Sequence, residues 1–173
     1  MKKHIVLIGL PGAGKHTVGR LVAEQLHAGF VDIDGILARR EGKPITMIFA
    51  ERGEAAFREM ERREVETALG NEPAIVAPGG GWAAQPGAID TAKARGALVI
   101  YLRTRPETAA QRAAPEGTRP LLRGEDPVGR MRVLQKEREP FYREAHAQVD
   151  TDRKTPPQVA SEVVRLAQSS AGW

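Results

Sequence analysis

The chain has no cysteine among its 173 residues, so neither a disulfide framework nor a thiolate metal site is available to it. Aromatics are scarce: two Trp, two Tyr and four Phe leave little surface on which bases could stack. Charge of one sign is not concentrated anywhere. The 26 basic and 22 acidic residues give a net charge of +4 but are interleaved, and without a basic stripe or stacking rings a nucleic-acid binder is not expected. Long hydrophobic runs are missing too. The apolar stretch after Met1-Lys2-Lys3-His4 is only Ile5 to Ile8, far too short for a signal peptide or a membrane span. A cytoplasmic monomer acting on small molecules, away from membranes, is the expectation. Nineteen of the basic residues are Arg. Coding bias explains that as readily as a need for guanidinium forks, which bind carboxylates and phosphates bidentately.

What is present has the make-up of a soluble globular domain, with 41% hydrophobic and 28% charged residues. The length suits one domain with one core, spanning 1–173. Apolar runs alternate with helical stretches. Ile5-Val6-Leu7-Ile8 precedes a helix with Val18, Leu21, Val22 and Leu26 on one face. Phe30-Val31, Ala74-Ile75-Val76-Ala77, Ala97-Leu98-Val99-Ile100-Tyr101 and Gln148-Val149-Asp150 read as further strands, the last followed by a helix carrying Val159, Val163 and Leu166. Buried strands separated by helices predict an α/β fold: a doubly wound, three-layer parallel sheet of five strands. Two stretches interrupt the alternation. Residues 33–70 are helical and charged and form an insertion between strands two and three. Residues 113–127 hold three prolines and two glycines, a composition that breaks helices and predicts a mobile lid.

The most specific local signal is Gly9-Leu10-Pro11-Gly12-Ala13-Gly14-Lys15-His16-Thr17, between a buried strand and an amphipathic helix. Glycines let successive backbone N–H groups turn toward one anion, the helix N-terminus adds positive potential, and Lys15 is placed to reach the β- and γ-phosphates of a nucleotide. One position breaks the pattern. The residue after the lysine, usually a Ser or Thr whose hydroxyl holds Mg²⁺, is His16. Mg²⁺ prefers oxygen, so an imidazole suits it only through a bound water. Thr17 lies about 100° further round the helix. Asp32 and Asp34 follow at the end of the second strand, where ligands bind in doubly wound sheets. One can support the metal and the other accept a substrate hydroxyl; Asp34 could equally cap the next helix.

These residues, with others in order, resemble the shikimate kinases, P-loop enzymes of the nucleoside-monophosphate-kinase-like group, over about residues 4–168. The resemblance implies that ATP with Mg²⁺ is the phosphoryl donor and that shikimate is the acceptor. Asp32 would support the metal and Asp34 would bind the acceptor's hydroxyls. Ile45, Phe49, Gly53-Glu54, Phe57-Arg58 and Glu61 match a segment whose arginine, here Arg58, meets the acceptor's carboxylate. Gly79-Gly80-Gly81 would offer backbone N–H groups to it. Arg119-Pro120-Leu121-Leu122 matches the lid. Arg138-Glu139-Pro140-Phe141-Tyr142 would supply a second carboxylate-binding arginine, and Arg112 matches a residue beside the adenine. Lys15, Asp34 and Arg119 are thus the expected catalytic residues, with Gly12, Ala13, Gly14, His16 and Thr17 completing the nucleotide site.

Each residue also has a plainer reading. Arg58 could serve only to pair with Glu54 and Glu61 at helical spacing, Gly79 to Gly81 could be a turn, Arg138 could sit on a solvated charged face, and Arg119 could be one more loop cation. Pro78 and Trp82 depart from the family's usual residues, and Trp82 could either pack under the insertion or line the pocket. Two other functions stay open: a kinase of the same group with a different acceptor, such as gluconate or an antibiotic, and a nucleotide-binding regulatory module weakened in catalysis through His16.

Overall fold

A computed structural model describes residues 1–113 and 126–173 of the chain. Five strands form one sheet: β1 (Ile5–Ile8), β2 (Gly29–Asp32), β3 (Ala74–Ala77), β4 (Leu98–Arg103) and β5 (Ala147–Asp150). All pairings are parallel, in the spatial order β2-β3-β1-β4-β5. Helix α1 (Lys15–Leu26) links β1 to β2. The insertion forms three helices, α2 (Ile33–Glu41), α3 (Ile45–Arg52) and α4 (Glu54–Leu69). Then come α5 (Ala88–Ala94), α6 (Pro106–Ala113), α7 (Pro127–Tyr142) and α8 (Pro156–Ser170).

The continuous apolar strands follow from this layering. Side chains alternate across a strand, and both faces are covered. Ile5, Leu7, Ile75, Leu98, Ile100 and Leu102 turn toward α1 and α8, joining Val18, Val22, Val159 and Val163 in one buried layer. Val6, Ile8, Val76, Val99 and Tyr101 turn the other way, toward Leu37, Ile48, Phe57, Val65 and Tyr142. From β1 the chain moves first to one side of the sheet and later to the other. The direction of winding therefore reverses at the C-terminal end of β1, which opens the crevice where ligands bind in such sheets.

Several boundaries differ from those expected. The fourth strand runs on to Arg103, because Tyr101 and Leu102 are fully buried and still paired with β5. Both edges of the anticipated lid are helical: Ala113 ends α6, and Pro127 opens α7 behind Asp126, whose side chain accepts a 2.9 Å bond from the Gly129 N–H. Proline at a first helical position lacks a donor the helix would leave unpaired anyway, so the third proline starts a helix rather than extending a loop. Most of the lid, with Arg119, lies outside the described residues. Among those described, no helix is long and apolar enough to cross a membrane.

Candidate active site

The crevice is a cavity of about 760 Å³, within the usual range for small-molecule sites. The loop from β1 to α1 forms its floor. Gly12 has φ 82, and a Cβ there would collide with the Ala109 carbonyl. Only glycine both adopts the left-handed backbone and lets α6 come that close. Gly14, also left-handed at φ 94, caps α1. Lys15 is buried, and its Nζ donates to the carbonyls of Gly9 at 2.7 Å and Leu10 at 2.9 Å. The ammonium is thus held at the loop's rim. Gly12, Ala13, Gly14, His16 and Thr17 all border the cavity.

Asp32 ends β2, and Asp34 is the second residue of α2, because the helix begins without an intervening loop. The N-cap position belongs to Asp32, not Asp34, and its side chain makes no capping bond. The plain capping reading of Asp34 therefore fails.

The far end of the cavity is built around a buried carboxylate. Glu61, with no exposed surface, accepts from Arg58 Nη1 at 2.9 Å and from the Gly79 N–H at 3.1 Å. It also hydrogen-bonds to Asp34. A Cβ on Gly79 would lie 2.5 Å from Glu61 Oε2 and 2.9 Å from Asp34 Oδ2, so both carboxylates converge on that glycine. Burial first, then the neighbouring Asp34 charge, push the Glu61 carboxyl up to about 7 against the pull of Arg58. The next two glycines make room for guanidinium groups. A Cβ on Gly81 would strike Arg58, and one on Gly80 would lie 2.9 Å from Arg138 Nη1. Tyr142, fully buried, donates to the Gly80 carbonyl at 2.9 Å and pins the glycine run. Arg58 is wedged beside the rings of Phe57 and Phe49, its Cζ 5.4 and 5.7 Å from their centroids. Among the described residues, buried Arg58 Nε and Arg138 Nη1 have no hydrogen-bond partner. Buried guanidinium donors left unmatched are costly. Both side chains line the main cavity, and Arg58 is also ion-paired there, to Glu61 at 2.9 Å and to Glu54 at 3.8 Å.

A description of the shikimate kinase family matches residues 11–168. The shikimate kinase of Moorella thermoacetica is 42% identical over 163 residues, 94% of this chain and 93% of that protein. That of Caldanaerobacter subterraneus is 40% identical over 163 residues, 94% and 95% of the two chains. Among solved structures, a shikimate kinase from Acinetobacter baumannii in complex with shikimate superposes with a TM-score of 0.92 at 36% identity, covering 98% of this chain and 94% of that one. This chain belongs to the shikimate kinase family.

At the cavity's other end Arg112 donates from Nη1 to Thr151 Oγ1 at 3.4 Å and from Nη2 to the Thr151 carbonyl at 3.5 Å. Lys154, Pro156 and Val159 continue the wall there. None of those three, nor Thr151, stood out in the sequence, because they carry no motif. Glu61 was visible as a helical neighbour of Arg58 and as a member of the segment resembling the family's, with no role of its own assigned to it. Trp82, 3% exposed, packs in the layer under α4 and α5. It borders a separate cavity of about 640 Å³ with Val65, Leu69 and Ala92 rather than the main crevice. The lining of the main crevice includes Gly79, Gly80 and Gly81 but not Trp82, so the reading of Trp82 as lining that pocket is corrected.

Proposed function

We propose that this chain transfers the γ-phosphate of ATP to the 3-hydroxyl of shikimate, acting as a cytoplasmic monomer in the route to aromatic amino acids. The observation carrying this reading is the pair of under-partnered guanidinium groups, Arg58 and Arg138, set against glycines beside Asp34. Two convergent forks call for a carboxylate, and a neighbouring carboxylate calls for a hydroxyl to orient. A neutral sugar would leave the forks unmatched.

Phosphoryl transfer is mainly positioning and charge neutralisation. The N–H groups of the phosphate loop and Lys15 cradle the β- and γ-phosphates, while Arg112 flanks the base. Asp34 accepts the attacking hydroxyl's hydrogen bond. Glu61, hydrogen-bonded to both Arg58 and Asp34, holds Asp34 beside the arginine that takes the acceptor's carboxylate. Mg²⁺ would neutralise charge on the phosphate oxygens. Asp32, a carboxylate at the mouth of the loop, fits it as an oxygen donor; His16 does not fit it as a direct ligand. Arg119, outside the described residues, takes its role from the resemblance: a cation over the moving phosphate. Replacing it with Ala should lower kcat by more than tenfold with shikimate KM changed less than threefold, because its charge is needed chiefly in the transition state. A larger effect on KM than on kcat counts against that assignment.

A coupled ADP-release assay tests the whole reading. Turnover should require shikimate; equal or faster turnover with gluconate, a nucleoside monophosphate or an aminoglycoside overturns it. Nucleotide binding without turnover on any acceptor would instead favour a regulatory module.

A further inference from the structure

The position after Lys15 holds a donor that Mg²⁺ does not favour. His16 is the second residue of α1 and occupies the place where a hydroxyl ordinarily meets the metal of a nucleotide. Its ring stands edge-on to Phe30, with centroids 5.2 Å apart and planes at 85°. Phe30 is itself wedged against Gly19 of α1, where a Cβ would lie 2.5 Å from the ring. So oriented, His16 turns Nδ1 toward Asp32 Oδ2 at 3.3 Å. Both side chains border the main cavity beside the phosphate loop, and both keep solvent access, at 53% and 30% exposure. The sheet side of the site thus presents one nitrogen and one carboxylate oxygen within reach of a single ion. Nucleotide oxygens would supply the rest of its shell.

We propose that His16 and Asp32 form a mixed nitrogen–oxygen cation site that shifts this enzyme's metal preference from Mg²⁺ toward Mn²⁺. The inference rests on the nucleotide site described above but not on the identity of the acceptor. Mg²⁺ demands a small, regular shell of oxygens and gives up its waters reluctantly. Imidazole is a good ligand for later first-row divalent ions, and Mn²⁺ precedes these in affinity while still accepting carboxylate and phosphate oxygen. Serine in the same place would present oxygen alone and would favour Mg²⁺. Phe30 meets one side of the ring, and Asp32 Oδ2 lies 3.3 Å from its Nδ1.

The test is direct metal binding with a non-hydrolysable ATP analogue and no acceptor. Free Mn²⁺ is followed by its paramagnetic resonance signal, with Mg²⁺ as competitor, for the wild-type enzyme and His16→Ser. Pulsed spectra of bound Mn²⁺ are recorded with unlabelled and ¹⁵N-histidine-labelled protein, so that the adenine nitrogens are not mistaken for the ligand. We expect a histidine nitrogen coupling in the wild type that His16→Ser lacks. We also expect the Mg²⁺-to-Mn²⁺ ratio of dissociation constants to fall at least threefold in the variant. Absence of the histidine coupling in wild type, or a ratio changed less than threefold, overturns the proposal. Failure of the analogue to bind either protein would overturn the nucleotide site as well. Melting temperature and far-ultraviolet circular dichroism of the metal-free, analogue-free proteins, equal in the two, show that the variant keeps its fold.

Discussion

At the scale of single residues the site is a contest between buried charges, and Glu61 decides its balance. Its carboxyl, fully buried beside Asp34 and Arg58, is raised to about 7 from an ordinary value near 4.5. A raised carboxyl binds its proton more tightly when folded. Its contribution to stability is therefore full below the unfolded value and is lost as pH climbs to about 7. Glu61→Gln keeps a side-chain acceptor for Arg58 or Gly79 and removes the titration. Melting temperature measured from pH 4.5 to 8 should show the variant gaining on the wild type as pH rises through that window; two parallel curves would count against the shift. The arginines act by charge on a bound anion. Arg58→Ala and Arg138→Ala should each remove a charge-assisted fork worth about 1.5–3 kcal/mol, raising the acceptor's KM more than tenfold while leaving that for ATP within threefold. Steady-state kinetics on both substrates check this, and an unmoved acceptor KM in both variants would refute it. Nothing in the local sequence sets Glu61 apart. It sits in a run with Glu59, Arg62, Arg63 and Glu64, and spacing cannot say which member of a charged run meets a cavity. The burial comes from the β3 turn, 18 residues away, whose Gly79 N–H supplies the bond.

At the scale of elements, the phosphate loop was legible because everything it needs is consecutive: a buried strand, three glycines, a lysine and an amphipathic helix. The acceptor pocket was not, since α2, α4, the glycine turn after β3 and α7 each contribute one to three residues, and only their order along the chain hinted that they meet. The short Ala-rich α5 and α6 gave too little periodicity to be read at all. The glycine turn tests this assembly. Its middle and last glycines permit the approach of Arg138 and Arg58, as a Cβ at Gly81 would strike the Arg58 guanidinium. Arg58 is hemmed by Phe49 and Phe57 on one side and tied to Glu61 on the other. It therefore has little room to yield. Gly81→Ala should raise the acceptor's dissociation constant at least fivefold while the ATP analogue binds as before, measured by calorimetry; equal acceptor affinity would mean that the turn is only a turn.

At the scale of the whole molecule, the question is whether two hydrophobic layers on opposite faces of a four- to six-residue-deep sheet behave as one body. The strands of β1, β3 and β4 contribute alternate side chains to both layers, so neither layer can lose its packing without exposing the strands that support the other. The insertion sits over the same layer as the sheet's own helices, with Leu37, Ile48, Phe57 and Val65 in contact with Val6, Ile8 and Val76. It has no separate core. The chain's ends are joined too: Trp173 Nε1 donates to the Lys3 carbonyl at 2.9 Å, and the Lys3 N–H to the carbonyl of Ala171 at 2.9 Å. We therefore expect residues 1–173 to unfold as a single domain. The two tryptophans make the test clean, because Trp82 lies in the layer under the insertion and Trp173 packs against the α1–α8 layer. In Trp82→Phe the remaining fluorescence reports one face of the sheet, and in Trp173→Phe it reports the other. Within each variant, the urea midpoint by tryptophan emission should coincide with that by far-ultraviolet circular dichroism to within about 0.2 M, as a two-state transition requires. An emission midpoint that precedes the dichroism only when Trp82 is the reporter would mean that the insertion opens on its own, and the acceptor site would then be a separately unfolding unit.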